Sequence, residues 1–227
     1  EEETTNGHEF TRMKKGKQGE LWKREWKGAE GLAEDVRYYG KWMCDEAEKR
    51  IGHLYPKYKI IQELLAERPD LKAQGLKPGD ELTVIAWLWA RTVQCPNPAC
   101  GAQMPLAASF VLSSKKGKQA WVEPRVDYVQ KRVRFTVRAG VGTPPSPPKV
   151  GRGAQFACLV CSQIAPEQAI RAEFRAKRNG AQLMAIVAEG KSGRVYLPPH
   201  EEHSRIAESA VPAWKPEEEM NTQTPNL

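Results

Sequence analysis

The chain has 227 residues, 40% of them hydrophobic and 28% charged, and 35 Lys and Arg outnumber 28 Asp and Glu for a net charge of +7. That apolar share can bury a core, which excludes a wholly disordered polar chain, and the basic surplus favours polyanionic partners. No run of about 18 apolar residues occurs, and the acidic start Glu1-Glu2-Glu3 is unlike a basic, then greasy, leader. A soluble cytoplasmic protein with no membrane partner is expected.

Residues 1–28 mix charges and glycines, with the basic cluster Lys14-Lys15-Gly16-Lys17 and no sustained period, and read as a flexible arm. Residues 29–81 read as a helical segment. Within it Leu32, Val36, Tyr39, Met43, Ala47 and Ile51 recur at three and four, the spacing of an amphipathic helix over 29–54, stopped by Gly52 and Pro56. A shorter helix is expected over 58–66, and residues 70–80, with Gly75 and Pro78-Gly79, read as a polar loop.

Residues 82–198 read as a β domain. The run from Leu82 to Val93 is rich in Val, Ile, Trp and Thr and apolar on both alternating faces, as in a buried strand, and it leads directly to Cys95. Trp87 and Trp89 share one side of it, where core packing is expected. Strands follow over 109–112, 120–126 and 132–138, with a first turn at Lys115-Lys116-Gly117-Lys118. Residues 140–153, carrying Pro144-Pro145 and Pro147-Pro148, form an exposed loop. A proline-opened helix over 166–177 and strands over 182–188 and 194–197 complete the domain. Residues 199–227 read as a short helix over 201–210 followed by a linker. The expected class is α+β: a helical N-terminal part, then a four-cysteine zinc ribbon with a small antiparallel sheet.

Cys95-Pro-Asn-Pro-Ala-Cys100-Gly and Cys158-Leu-Val-Cys161 each place two thiols on a tight turn, and two such turns supply the four tetrahedral thiolates zinc prefers. Paired thiols of this kind suit a reducing compartment. Four thiolates leave no coordination position for an activated water, so one structural Zn2+ per chain is expected, with Cys95, Cys100, Cys158 and Cys161 as ligands and no catalytic residue. Redox-active thiols and an iron–sulfur cluster are the alternatives. Cys44 reads as a small core thiol within the first helix, and His200 and His203 as part of an exposed helix start.

Residues 111–153 hold ten basic side chains against Glu123 and Asp127, a local net charge of +8. Arg132, Arg134 and Arg138 alternate with Val133, Phe135 and Val137, which presents cations on one sheet face, and Lys115, Lys116 and Lys118 lie in the preceding turn. Such a face suits a phosphate backbone, with Trp121 and Tyr128 as stacking surfaces, so DNA is the expected partner. The competing reading is a solvated strand face whose charges prevent edge-to-edge association.

The run Trp87-Leu-Trp-Ala-Arg-Thr92 leading into Cys95, and the run Ala188-Glu-Gly-x-x-Gly-Arg-Val-Tyr-Leu-Pro198, are the most specific parts of a resemblance to a known family. With Gly31 to Gly40, Glu46 to Pro56, Pro212-Ala-Trp-Lys-Pro216 and Thr224-Pro-Asn226, they resemble the large adenine-specific DNA methylases of bacteria and archaea that carry an inserted zinc ribbon. The resemblance spans roughly residues 27–227. It implies a full-length protein that transfers a methyl group from S-adenosylmethionine to an adenine flipped out of DNA, often in restriction–modification or defence. The family's glycine-rich cofactor motif and its Asp-Pro-Pro-Tyr-type catalytic motif are both missing here: Gly140-Val-Gly142 lies in a proline-rich loop with no strand-to-helix context. The chain therefore looks like the middle of such a methylase, an accessory DNA-contacting segment. The alternative is a module that docks on missing methylase portions or on partner subunits. A free-standing enzyme is the third reading, for which no nucleophile–base pair is visible.

Overall fold

The structure is a computed structural model that describes residues 27–191, 193–212 and 214. Most of the expected N-terminal arm and the end of the C-terminal linker lie outside the described residues. The chain divides into two units, the first ending at Gly52 and the second beginning at His53.

In the first unit the three-and-four spacing becomes one helix, α1 (Glu30–Ile51), which ends at Gly52 as its sequence dictates. Its polar faces are laddered by Arg37–Glu34, Lys41–Asp45 and Arg50–Glu46 ion pairs. None of its residues is buried. The stripe Leu32, Val36, Tyr39 and Met43 is exposed, and Cys44 is exposed with it, which corrects the expectation of a core thiol. The described part of this unit is one helix.

The second unit is built of antiparallel ladders. β1 (Tyr58–Lys59) pairs with β2 (Glu81–Leu82), with α2 (Gln62–Glu67) and α3 (Pro69–Ala73) between them. This corrects two expectations. Residues 58 and 59 are strand because Tyr58 opens a ladder with Leu82, and the stretch after Pro69 begins as a helix because proline at its first position is pre-set for helical φ.

β3 (Val84–Gln94) lies between β10 (Gly180–Gly190) and β4 (Gln103–Pro105), and β11 (Gly193–Leu197) completes a four-stranded sheet in the order β11-β10-β3-β4. The β3 to β10 pairing joins residues 88 to 104 positions apart, with register shifts at Leu183/Ala185 and Val187/Ala188. A second sheet comprises β5 (Val111–Ser113), which begins two residues later than the strand expected over 109–112, and β6 (Ala120–Asp127) and β7 (Arg132–Ala139), where the sequence places strands. β8 (Phe156–Ala157) and β9 (Ile164–Ala165) make a short hairpin before α4 (Glu167–Arg175), and α5 (Glu201–Ser209) follows β11.

Three apolar clusters hold these parts. Ile60, Leu64, Leu65 and Leu71 pack on Leu183, Ile186 and Leu197, with Trp87 and Trp89 against them, so the tryptophans are core residues as expected. Phe110, Val122, Phe135 and Val137 pack with Ala185 between the two sheets. Each fully buried side chain of this size contributes about 1.5–3 kcal/mol. Val93, Met104, Phe156 and Ile170 surround the cysteines. β3 is less enclosed than its composition suggests: Ile85 is half exposed, because the face it occupies is not covered along its whole length.

Side chains also stitch the sheets. Arg68, 5% exposed, donates to Val137 O and Tyr196 O, both at 3.1 Å, and holds Asp70 through two hydrogen bonds of 2.6 and 2.7 Å. Gln182 Nε2 donates to Val133 O at 2.6 Å. Carbonyls of β7, the outer strand of its sheet, thus accept from neighbouring elements, which blunts an edge that would template another strand. No described helix is long and apolar enough to cross a membrane.

Candidate metal centre

Both cysteine pairs sit at hairpin tips. β3 and β4 pair through Val93 and Met104, and Cys95 N continues the ladder by donating to Ala102 O at 2.8 Å, closing a loop that contains Cys100. Asn97 shapes the tip: its carbonyl accepts from Cys100 N and Gly101 N, and its Oδ1 accepts from Ala99 N. Gly101 has φ +63°, a left-handed conformation that glycine adopts without a Cβ penalty. In the second hairpin Ala157 faces Ile164, and Cys158 N donates to Gln163 O at 2.8 Å, so Cys158 and Cys161 occupy the turn.

The two tips meet. Cys95 Sγ lies 3.6 Å from Cys161 Sγ, Cys100 Sγ lies 3.9 Å from Cys158 Sγ, and all four sulfurs are within 4.8 Å of one another. Four thiolates held about 2.3 Å from a central zinc at tetrahedral angles stand about 3.8 Å apart. The cluster therefore has the dimensions of a tetrahedral four-sulfur site and fits a metal ion. Cys95, Cys100 and Cys158 are buried and Cys161 is partly exposed.

Backbone N–H groups aim at the sulfurs: Asn97 at Cys95, Val160 and Cys161 at Cys158, and Gln163 at Cys161. Burial pushes the Cys95 and Cys158 thiols up, since a thiolate there loses its hydration. The Gln163 N–H, the main cause, draws Cys161 down to about 7. A bound cation would compensate buried negative sulfur, and these N–H groups would share the remaining charge. Its sulfurs come from both tips, so a bound ion would brace two hairpins.

The structure distributes the six basic residues over two places. Lys115, Lys116 and Lys118 lie at the turn between β5 and β6, where Lys118 N donates to Lys115 O. Arg132, Arg134 and Arg138 are exposed on one face of β7, opposite the buried Val133, Phe135 and Val137. Arg138 is paired with Glu123, which also holds Arg125. At the other end of β7, Lys131 Nζ donates to Ala99 O at 2.7 Å, tying the β6–β7 turn to the first cysteine tip. Of the two stacking candidates Tyr128 is exposed, but Trp121 is buried, which removes it as a stacking surface. A Cβ on Gly142 would lie 2.6 Å from the Trp121 ring, so the loop after β7 covers the indole.

The structure corrects the reading of His203 as part of an exposed helix start. His203 is 4% exposed and accepts a hydrogen bond at Nδ1 from Trp87 Nε1 at 2.9 Å, while His200 caps α5 by accepting from Glu202 N.

The arrangement brings four cysteine sulfurs together on two hairpin tips of an antiparallel β unit, in a cluster with the dimensions to hold a metal ion. No protein family, curated protein or solved structure matches the chain.

Proposed function

We propose that the four cysteines hold one structural Zn2+ as a zinc ribbon, and that this ribbon braces a DNA-contacting segment of an adenine-specific DNA methyltransferase-like protein. The observation that carries the reading is the tie between the first cysteine tip and the basic strand: Lys131 reaches Ala99 O, so the hairpin bearing Arg132 and Arg134 is anchored on the metal-site loop. The methylase context rests on the resemblance of the runs ending at Thr92 and Pro198. Zinc suits a closed set of four thiolates and supplies structure without chemistry. S-adenosylmethionine belongs to a full-length protein, whose cofactor and catalytic motifs this chain does not carry.

The test is metal content and DNA affinity on one preparation. Protein purified without added metal should carry one zinc per chain, lost in Cys95→Ser and Cys158→Ser, and should bind duplex DNA with an affinity that falls steeply with salt. Zinc-free, well-folded protein, or DNA affinity insensitive to salt, would overturn it.

A second reading is favoured by the exposed stripe Leu32, Val36, Tyr39 and Met43 on α1. It makes the first unit a docking helix for methylase portions or partner subunits. Sedimentation that shows a clean monomer without exposed apolar surface would count against this reading.

A further inference from the structure

A groove of about 600 Å³ runs between the first cysteine tip and the start of β7. One wall is Cys100 to Gln103; the other is Gln130 to Arg134, and Gln182 lies at its side. Among the described residues, no Asp or Glu lines it.

Its two arginines differ from their neighbours. Arg125 and Arg138 share Glu123, whereas Arg132 and Arg134 have no ion pair among the described residues. Arg134 stands directly across the ladder from Arg125, whose own carboxylate partner is Glu123, and Arg132 stands across from Asp127. Arg132 and Arg134 are two residues apart on one strand face, about 6.7 Å along the chain, on the scale of successive phosphates in a nucleic-acid strand. The facing wall carries no side chain at Gly101, so a backbone can approach it closely. Gln103, Gln130 and Gln182 add amide groups that can donate to sugar or phosphate oxygens. Lys131, through Ala99 O, holds the two walls together.

We propose that this groove seats the phosphodiester backbone of one nucleic-acid strand, with Arg132 and Arg134 neutralising adjacent phosphates against the bare wall at Gly101. The proposal rests on the DNA-contacting reading above and gives it a location. The Lys115–Lys116 turn, at the far end of β6, is outside the groove.

The test is fluorescence anisotropy of a labelled mixed-sequence oligonucleotide, single-stranded and as its duplex, titrated with full-length chain over a range of salt. Three variants are compared: Arg132→Gln with Arg134→Gln, Gln103→Glu, and Lys115→Gln with Lys116→Gln, each checked for unchanged circular dichroism and metal content. The double arginine variant should reduce the slope of log affinity against log salt by about 1.8 on duplex, two contacts' worth. Gln103→Glu, which places a carboxylate in the groove, should weaken binding about tenfold, and the lysine variant should change both quantities less. If both groove variants bind as wild type while the lysine variant loses affinity, the groove assignment is overturned and the DNA-contacting reading stands. If wild type itself shows no salt-dependent binding to either form, both fall together.

Discussion

Trp87 and His203 lie 116 residues apart in sequence and share a hydrogen bond, the indole N–H donating to Nδ1 at 2.9 Å. That nitrogen must be unprotonated to accept. Burial, chiefly, and the neighbouring His200 hold the imidazole below its ordinary pKa, against a smaller opposing pull from Glu202, and the buried Tyr58 ring packs beside it. The unfolded chain therefore takes up this proton first. The contribution is full above about pH 6.5 and declines as pH falls through that value toward the lower folded one. Urea midpoints should fall from pH 7.5 to pH 5 at constant metal content, and His203→Gln should flatten part of that slope. Trp87→Phe, which leaves a buried acceptor without its donor, should cost about 1–3 kcal/mol in urea unfolding at pH 7.5.

The cysteines differ in reactivity in a way that reports their geometry. In metal-free protein Cys161, drawn down to about 7 by the Gln163 N–H, should be alkylated first by iodoacetamide at pH 7, about tenfold faster than the buried Cys95 and Cys158, whose thiols are pushed up. Zinc should protect all four ligand cysteines, and acid should release the metal as thiolates regain protons. Mass spectrometry of the modified peptides reads each position. Equal rates at the three sites would be inconsistent with the hairpin tips described above.

Arg68 links three elements through Asp70, Val137 O and Tyr196 O. Its removal leaves two carbonyls without this donor and Asp70 without its partner. Arg68→Ala should lower unfolding stability by about 3–5 kcal/mol. Arg68→Lys should recover little of it, because an ammonium cannot hold the carboxylate with two parallel bonds while also reaching both carbonyls. Chemical denaturation of the two variants beside wild type distinguishes this from a surface ion pair, for which both losses would stay below about 1 kcal/mol.

Gly142 carries a different constraint. A methyl group there would overlap the Trp121 ring, at 2.6 and 2.9 Å from two of its carbons. Gly142→Ala should destabilise by about 1–3 kcal/mol through overpacking, and a smaller side chain at position 121 should relieve that increment. A double-mutant cycle in thermal melts measures it: additive effects would mean the loop does not rest on the indole.

Much of both units was legible in sequence. β6 and β7 follow the alternation of charged and apolar residues, α1 follows its three-and-four spacing, and the cysteine turns announce themselves by their pairing. The misses share one cause. Tyr58 became strand because Leu82 lies beside it, and His203 became buried because the Trp87 and Tyr58 rings pack against it; in both cases the deciding neighbour is distant in the chain. Cys44 failed in the opposite sense, since an amphipathic pattern states which face can be buried without stating that anything covers it. Trp121 was offered to bases by composition and taken by Gly142 in the fold.

The sequence by itself determined which residues alternate, where helices start and stop, and which four thiols are paired, because those properties depend on side-chain chemistry within a few residues. Only the tertiary structure decided that the two cysteine tips meet at tetrahedral distances, that Arg68 and Gln182 cap the carbonyls of β7, and that Lys131 joins the basic strand to the metal loop. Those contacts span tens of residues, and they exist only once the β3–β10 ladder has brought its two strands together.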